Sequence, residues 1–203
     1  MPVEDVPSPI DFHDPAQAAA WVAETVRKRP ARPLFFQAFT GALTERFDKP
    51  FTVLELGSGP GHLAEQVLQA CPDATYTALD FSPAMHDVAR ERTAANAERI
   101  TFVERDFRQA DWMEGLGKFD AVITMQAAHE TRHKSRLQGL MAQAKGLLTP
   151  FGVLLYCDHY AEEESELFVG KGRQLALLRR AGFKDVHRLL DEGGMALYQA
   201  AMR

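Results

Sequence analysis

Val53-Leu54-Glu55-Leu56-Gly57-Ser58-Gly59-Pro60-Gly61-His62-Leu63 opens as a run of apolar strand formers, passes through three glycines spaced two apart, and runs on into helical periodicity. That order reads as a buried strand, a tight turn and a helix. Glycine takes positive φ and lets a ligand approach the backbone without meeting a Cβ. The helix start offers unpaired N–H donors to a negative or polar group. The same glycines would also serve a bare strand-to-helix turn, so the loop alone leaves ligand and turn both open.

The segments around it repeat the pattern. Strands are predicted at Phe51–Leu56, Thr75–Leu79, Ile100–Val103, Phe119–Thr124 and Gly152–Cys157. Helical stretches begin near Gly61, Pro83 and Arg132, a brief turn lies around Asp111–Gly115, and a further helix spans Lys171–Ala181. Strands alternating with helix-length segments are the mark of a parallel sheet with crossover helices. At the end, Phe183–Leu190 and Met195–Ala201 flank Asp191-Glu192-Gly193-Gly194, which favours an antiparallel hairpin. The expected fold is α/β, a doubly wound sheet of about seven strands, mostly parallel.

Ahead of the sheet, the proline-punctuated opening is expected to be a flexible arm ending near Asp11-Phe12-His13-Asp14. Asp14-Pro15 then reads as an N-cap with proline at the first helical position, starting a helix to about Lys28. A second helix carries Leu34, Phe35, Ala38, Phe39, Ala42, Leu43 and Phe47 at helical spacing. Neither has a core of its own, so residues 1–50 are expected to be the arm and helical cover of one domain whose α/β core is 51–203.

The chain has 203 residues, 46% hydrophobic and 25% charged, with 23 Lys and Arg against 28 Asp and Glu. A net charge of -5 disfavours a phosphate-binding surface, hence a nucleic-acid partner. The basic clusters Arg27-Lys28-Arg29, Arg132-His133-Lys134 and Arg179-Arg180 read as solvated helix faces or ends. Only Cys71 and Cys157 occur, without zinc-site spacing. With no membrane-length apolar run and no signal-like start, a cytoplasmic protein with no membrane partner is expected. Nothing in the sequence sets an oligomeric state.

Details of the loop choose among ligands. A dinucleotide fingerprint would place glycine where His62 stands. Glu55, at the strand's carboxyl end, favours a cationic group over a pyrophosphate. Asp80 ends the next strand, in Ala78-Leu79-Asp80-Phe81-Ser82, where a carboxylate accepts hydrogen bonds from ribose hydroxyls. The ligand reads as a ribonucleoside carrying a cation. Singly, Phe81 and Phe107 fit core aromatics equally well, and Asp106 fits a cap of the Phe107–Gln109 turn. Jointly they fall at the carboxyl ends of successive strands, the edge where open α/β sheets bind ligands.

With those residues in view, the chain from Phe51 onward resembles the class I S-adenosylmethionine-dependent methyltransferases, of Rossmann-like fold. Glu55-x-Gly57-x-Gly59-x-Gly61 is similar to the family's first motif, implying that this loop, with Ser58, holds the cofactor's methionyl end. The resemblance makes Asp80 the ribose acid, with Phe81 and Ser82 beside it. It sets Asp106 and Phe107 against the adenine, and Met125 beside the transferred group. No Asp/Asn-Pro-Pro-Phe/Tyr motif follows the fourth strand, which removes the usual mark of nucleobase or glutamine-amide methylation.

In Gln126-Ala127-Ala128-His129-Glu130, His129 is the candidate general base, since imidazole titrates near operating pH. A surface or capping histidine is its structural alternative. His159 and Tyr160, after the fifth strand, are candidate acceptor contacts, as are Trp21, Phe35, Phe36 and Phe39 if the N-terminal helices cover the cleft, although at helical spacing such residues also fit a core. No hard-oxygen cluster suggests a metal. The expected activity is methyl transfer to oxygen or nitrogen of a small molecule. The alternatives are a protein or RNA methyltransferase, a non-catalytic cofactor-binding module, and, disfavoured by His62 and Glu55, a nicotinamide oxidoreductase.

Overall fold

The computed structural model describes residues 3–203; Met1 and Pro2 of the proline-punctuated arm lie outside the described residues. Helix α1 (Pro15–Lys28) starts where the sequence indicates, with the Asp14 carboxylate accepting from the Ala16 N–H at 2.8 Å and Pro15 in the first turn. Helix α2 (Arg32–Arg46) follows. The remainder is β1 (Phe51–Leu56), α3 (His62–Ala70), β2 (Ala74–Asp80), α4 (Pro83–Arg92), β3 (Ile100–Glu104), β4 (Phe119–Met125), α5 (Leu137–Gly146), β5 (Leu148–His159), α6 (Lys171–Arg180), β6 (Asp185–Glu192) and β7 (Met195–Ala201).

One sheet has the order β3-β2-β1-β4-β5-β7-β6. Its first five strands are parallel and β7 is antiparallel to both neighbours. The turn between β6 and β7 is made by Gly193 and Gly194, at φ 55° and 77°, values a primed hairpin turn needs. The sheet is buried on both faces, so its inner strands read as continuous apolar runs. Val53 points to a cluster with Phe39, Leu63 and Val67, while Leu54 and Leu56 join Leu140, Met141 and Trp112 on the other side. The chain reverses direction of growth between β1 and β4, which opens a crevice at the strands' carboxyl ends.

Some expectations change here. Phe35 and Phe39 do not face a cleft. With Leu43 they form an α2 stripe at four-residue spacing that is 0% exposed against α3 and the sheet, each burial stabilising by roughly 1.5–3 kcal/mol. Strand β5 starts earlier than Gly152, because its pairing jumps from Phe119↔Leu148 to Ala121↔Val153 across a bulge. The chain after Arg132 makes a short 3-10 turn before α5 begins.

The arm is pinned rather than free. The Val6 N–H donates to the Arg132 carbonyl at 2.8 Å, and Arg132 returns Nε to Val6 O at 2.8 Å and Nη2 to Pro7 O at 2.6 Å. Ser82 Oγ holds the Phe12 carbonyl at 2.6 Å. Arg132, 4% exposed, is therefore a buried anchor and not part of a solvated basic face.

Candidate active site

At the end of β1 the backbone turns through Gly57, Gly59 and Gly61, all at positive φ. Gly57 and Ser58 N–H donate to Leu79 O, and the Gly59 N–H donates to Asp80 Oδ2 at 2.7 Å. Asp80 Oδ1 takes the Ser82 N–H at 2.9 Å. The carboxylate at the end of β2 thus braces the loop and keeps further lone pairs for a ligand. Burial raises its pKa, opposed by these N–H donors. A Cβ on Gly57 would lie 2.3 Å from Ala127 Cβ, and one on Gly61 2.9 Å from Ala89 Cβ, whereas one on Gly59 would meet nothing within 4 Å. Packing requires the outer two glycines; the middle one borders open space.

That space is a cavity of about 390 Å³ at the crevice, walled by Glu55, Ser58, Gly59 and Asp80 on the sheet side and by Phe81, Phe107, Met125 and His129 beyond. Val6–Ile10 of the arm, Phe12 and Phe168 complete it. Arg32 Nε and Nη1, Ser58 Oγ and His62 Nε2 are buried with no hydrogen-bond partner, and all three residues line this cavity. Such orphaned groups mark an interior built for a polar ligand. Glu55 is 2% exposed and accepts from Tyr76 OH at 2.6 Å. Burial pushes its pKa up to about 8 despite that bond. Burial, helped by Arg92 and Arg32, lowers His62 to about 4. Burial likewise lowers Arg32 to about 10, with Arg29 adding to the drop.

Beyond β4, Gln126 sits at φ 57°, a left-handed conformation uncommon for a residue with a Cβ and typical of functional junctions. Its side-chain nitrogen is 2.9 Å from His159 Nε2. Two residues on, the 3-10 turn Ala128–Thr131 presents His129. Asp158 accepts both the His129 backbone N–H, at 2.9 Å, and Nδ1, at 2.7 Å, while Nε2 lies 3.4 Å from Glu130 Oε1. Burial opposes charge on this imidazole, but Asp158 and Glu130 outweigh it and raise the pKa to about 10. Phe168 packs on both imidazoles, 5.3 Å from His129 and 5.7 Å from His159.

A family described as "Methyltransferase domain" matches residues 53–152, which span the glycine loop, the Asp80 acid and the strand leading to His129. Over these residues the chain carries a methyltransferase domain. It is 29% identical over 144 residues to the malonyl-[acyl-carrier protein] O-methyltransferase of Halalkalibacterium halodurans, covering 71% of this chain and 51% of that protein. Its fold matches an O-methyltransferase family protein from Burkholderia thailandensis with TM-score 0.76 at 23% identity, over 94% of this chain and 61% of that one. A DhpI–SAH complex matches with TM-score 0.68 at 19% identity, over 92% and 91%. The chain spans about half or less of the length of curated relatives of this kind.

Of the expected site residues, Glu55, Gly57, Ser58, Gly59, Asp80, Phe81, Phe107, Met125 and His129 line one cavity. Other expected site residues do not. Gly61 packs on Ala89. Ser82 caps α4, accepting the Met85 N–H at 3.2 Å, and anchors the arm. Asp106 is gripped by Arg108, with Nη2 at 2.7 Å and Nε at 2.9 Å, and faces a smaller neighbouring hollow. Tyr160 lies under Lys171, whose Nζ is 4.6 Å from the ring centroid. His159 lines an adjoining cavity. Unforeseen wall residues are Arg29, Arg32, His62, Phe168 and the arm. No group of three or more His, Cys, Asp or Glu among the described residues is placed to hold a metal ion.

Proposed function

We propose that this protein transfers a methyl group from S-adenosylmethionine to an oxygen or nitrogen of a small acceptor. The observation that carries the reading is the set of buried, unpartnered donors on Arg32, Ser58 and His62, in the same cavity as the His129–Asp158 pair. These groups suit a ligand with an amino-acid end: Arg32, Ser58 and His62 would take its carboxylate, and the free oxygen of Glu55 its ammonium. Asp80 would take ribose hydroxyls, with Phe81 and Phe107 beside the base. When bound there, the cofactor would supply a methyl carbon activated by a positively charged sulfur, with a neutral thioether as the leaving group.

The chain's own work is to align, exclude water and remove a proton. Asp158 holds His129 by Nδ1, and Nε2 accepts the acceptor's proton once a bound sulfonium has lowered the imidazole's pKa from about 10. The pinned arm shields the site. Among the described residues no helix is long and apolar enough to cross a membrane, and both cysteines are buried and free, which suits a reducing cytoplasm.

The test is incubation with methyl-labelled S-adenosylmethionine and a pool of small hydroxyl and amine compounds. Label should appear in small products and fall with His129→Ala. Label recovered only in protein or RNA, or none transferred at saturating cofactor, would overturn the reading.

A further inference from the structure

Beside the first cavity lies a second, of about 650 Å³, between α1 and the β6–β7 turn. The two share Ile10, Trp21 and Arg29 in their walls. His159 lines the second, its ring centroid 6.0 Å from that of His129. The space therefore reaches within one side chain of the candidate base, and the cofactor reading leaves it unused.

Arg29 stands at the junction without a counter-ion. Nearby Lys28 pairs with Glu24 and Arg132 with Glu130, but among the described residues no carboxylate lies within ion-pairing distance of Arg29. Its side-chain hydrogen bond, to Thr25 Oγ1, is long at 3.5 Å, and its guanidinium lies 5.6 Å from the Trp21 ring centroid. Burial lowers its pKa, with the more distant Asp158 acting the other way. With no carboxylate on it, its planar fork is free to take one bidentately. The surroundings are aromatic as well: Phe12 meets Trp21 edge-on at 5.5 Å, and Phe168 packs on His129 and His159. A planar ring suits such walls. A protonated amine would be repelled by Arg29, and a neutral phenol would leave Arg29 without a counter-ion.

Building on the methyltransferase reading, we propose that the acceptor is an aromatic hydroxy acid, its carboxylate on Arg29, its ring on Trp21 and its hydroxyl toward His129. The test is titration of the protein, saturated with S-adenosylhomocysteine, with positional isomers of hydroxybenzoate and hydroxycinnamate and with their neutral amides. At least one acid should bind at least about tenfold more tightly than its amide. Arg29→Gln should erase that preference and Arg29→Lys should restore part of it, each read on protein resaturated with S-adenosylhomocysteine at that variant's own affinity. Amides binding as well as acids, no acid binding, or a preference that survives in Arg29→Gln would overturn the inference. Loss of S-adenosylhomocysteine binding in the unaltered protein would instead refute the cofactor reading on which it rests.

Discussion

Asp158, near the end of β5, holds His129 by two atoms at once, the backbone N–H at 2.9 Å and Nδ1 at 2.7 Å. The pair joins two strands' carboxyl ends and sets the imidazole's tautomer and its direction together. If His129 is the base, His129→Ala should lower turnover about a hundredfold and spare cofactor affinity. Asp158→Asn should lower turnover too, by mispositioning the ring. Steady-state rates beside S-adenosylhomocysteine affinity check this, and an unchanged rate in His129→Ala returns the residue to a structural role.

The same imidazole, raised to about 10 by the two carboxylates, is protonated at neutral pH in the free protein. A positively charged sulfur in its cavity should lower that pKa. Near pH 8 to 9, S-adenosylmethionine binding should therefore release more protons than binding of neutral S-adenosylhomocysteine. Calorimetry in buffers of different ionisation enthalpy reads the difference directly; equal release by the two ligands would contradict it.

Arg32 offers a test with opposite signs. Its buried nitrogens have no partner in the free protein, so Arg32→Met should leave apo stability unchanged or raise it. The same change should weaken cofactor binding by roughly 1.5–3 kcal/mol, the worth of hydrogen bonds to a charged group. Denaturant melts and binding titrations on one preparation separate the two effects.

The glycines of the loop should divide in the same way. Gly61→Ala places its Cβ against Ala89, 2.9 Å away, at φ 77°, and should destabilise the fold by about 1–3 kcal/mol. Gly59→Val projects into open space and should abolish cofactor binding, with a smaller stability loss set by its positive φ. Thermal melts with and without cofactor distinguish them.

Glu55 should make apo stability depend on pH. Its folded pKa, about 8, lies above its ordinary value of 4.5. The protonated acid's contribution is fully present below about 4.5 and is lost as pH rises through about 8. Glu55→Gln removes that loss, so relative to the native chain it should gain apo stability between pH 5 and 9, on the order of a few kcal/mol, while binding cofactor more weakly.

Much of this was legible because it is local. Buried parallel strands are short apolar runs closed by turn residues, and Asp14-Pro15 marks a helix start, so β1, β7 and α1 fall where the sequence puts them. Long-range relations were not legible. Arg132 grips an arm 126 residues away, and nothing within a short basic cluster tells a buried anchor from a solvated face. Four-residue spacing shows that Phe35 and Phe39 share a face, but not that the face meets α3 rather than the cleft. Arg29 and Arg32, flanking a proline break, owe their importance to the sheet edge they reach. Asp106 did carry a readable warning, since Arg108 lies only two residues on.

The first experiment is a calorimetric titration of the native chain and Gly59→Val with S-adenosylmethionine, S-adenosylhomocysteine and NADH in one buffer. Binding of the two sulfur ligands to the native chain, lost in Gly59→Val, with no binding of NADH, is the expected result. Binding of NADH in preference, or sulfur ligands that bind equally well to Gly59→Val, would contradict the assignment of the cavity.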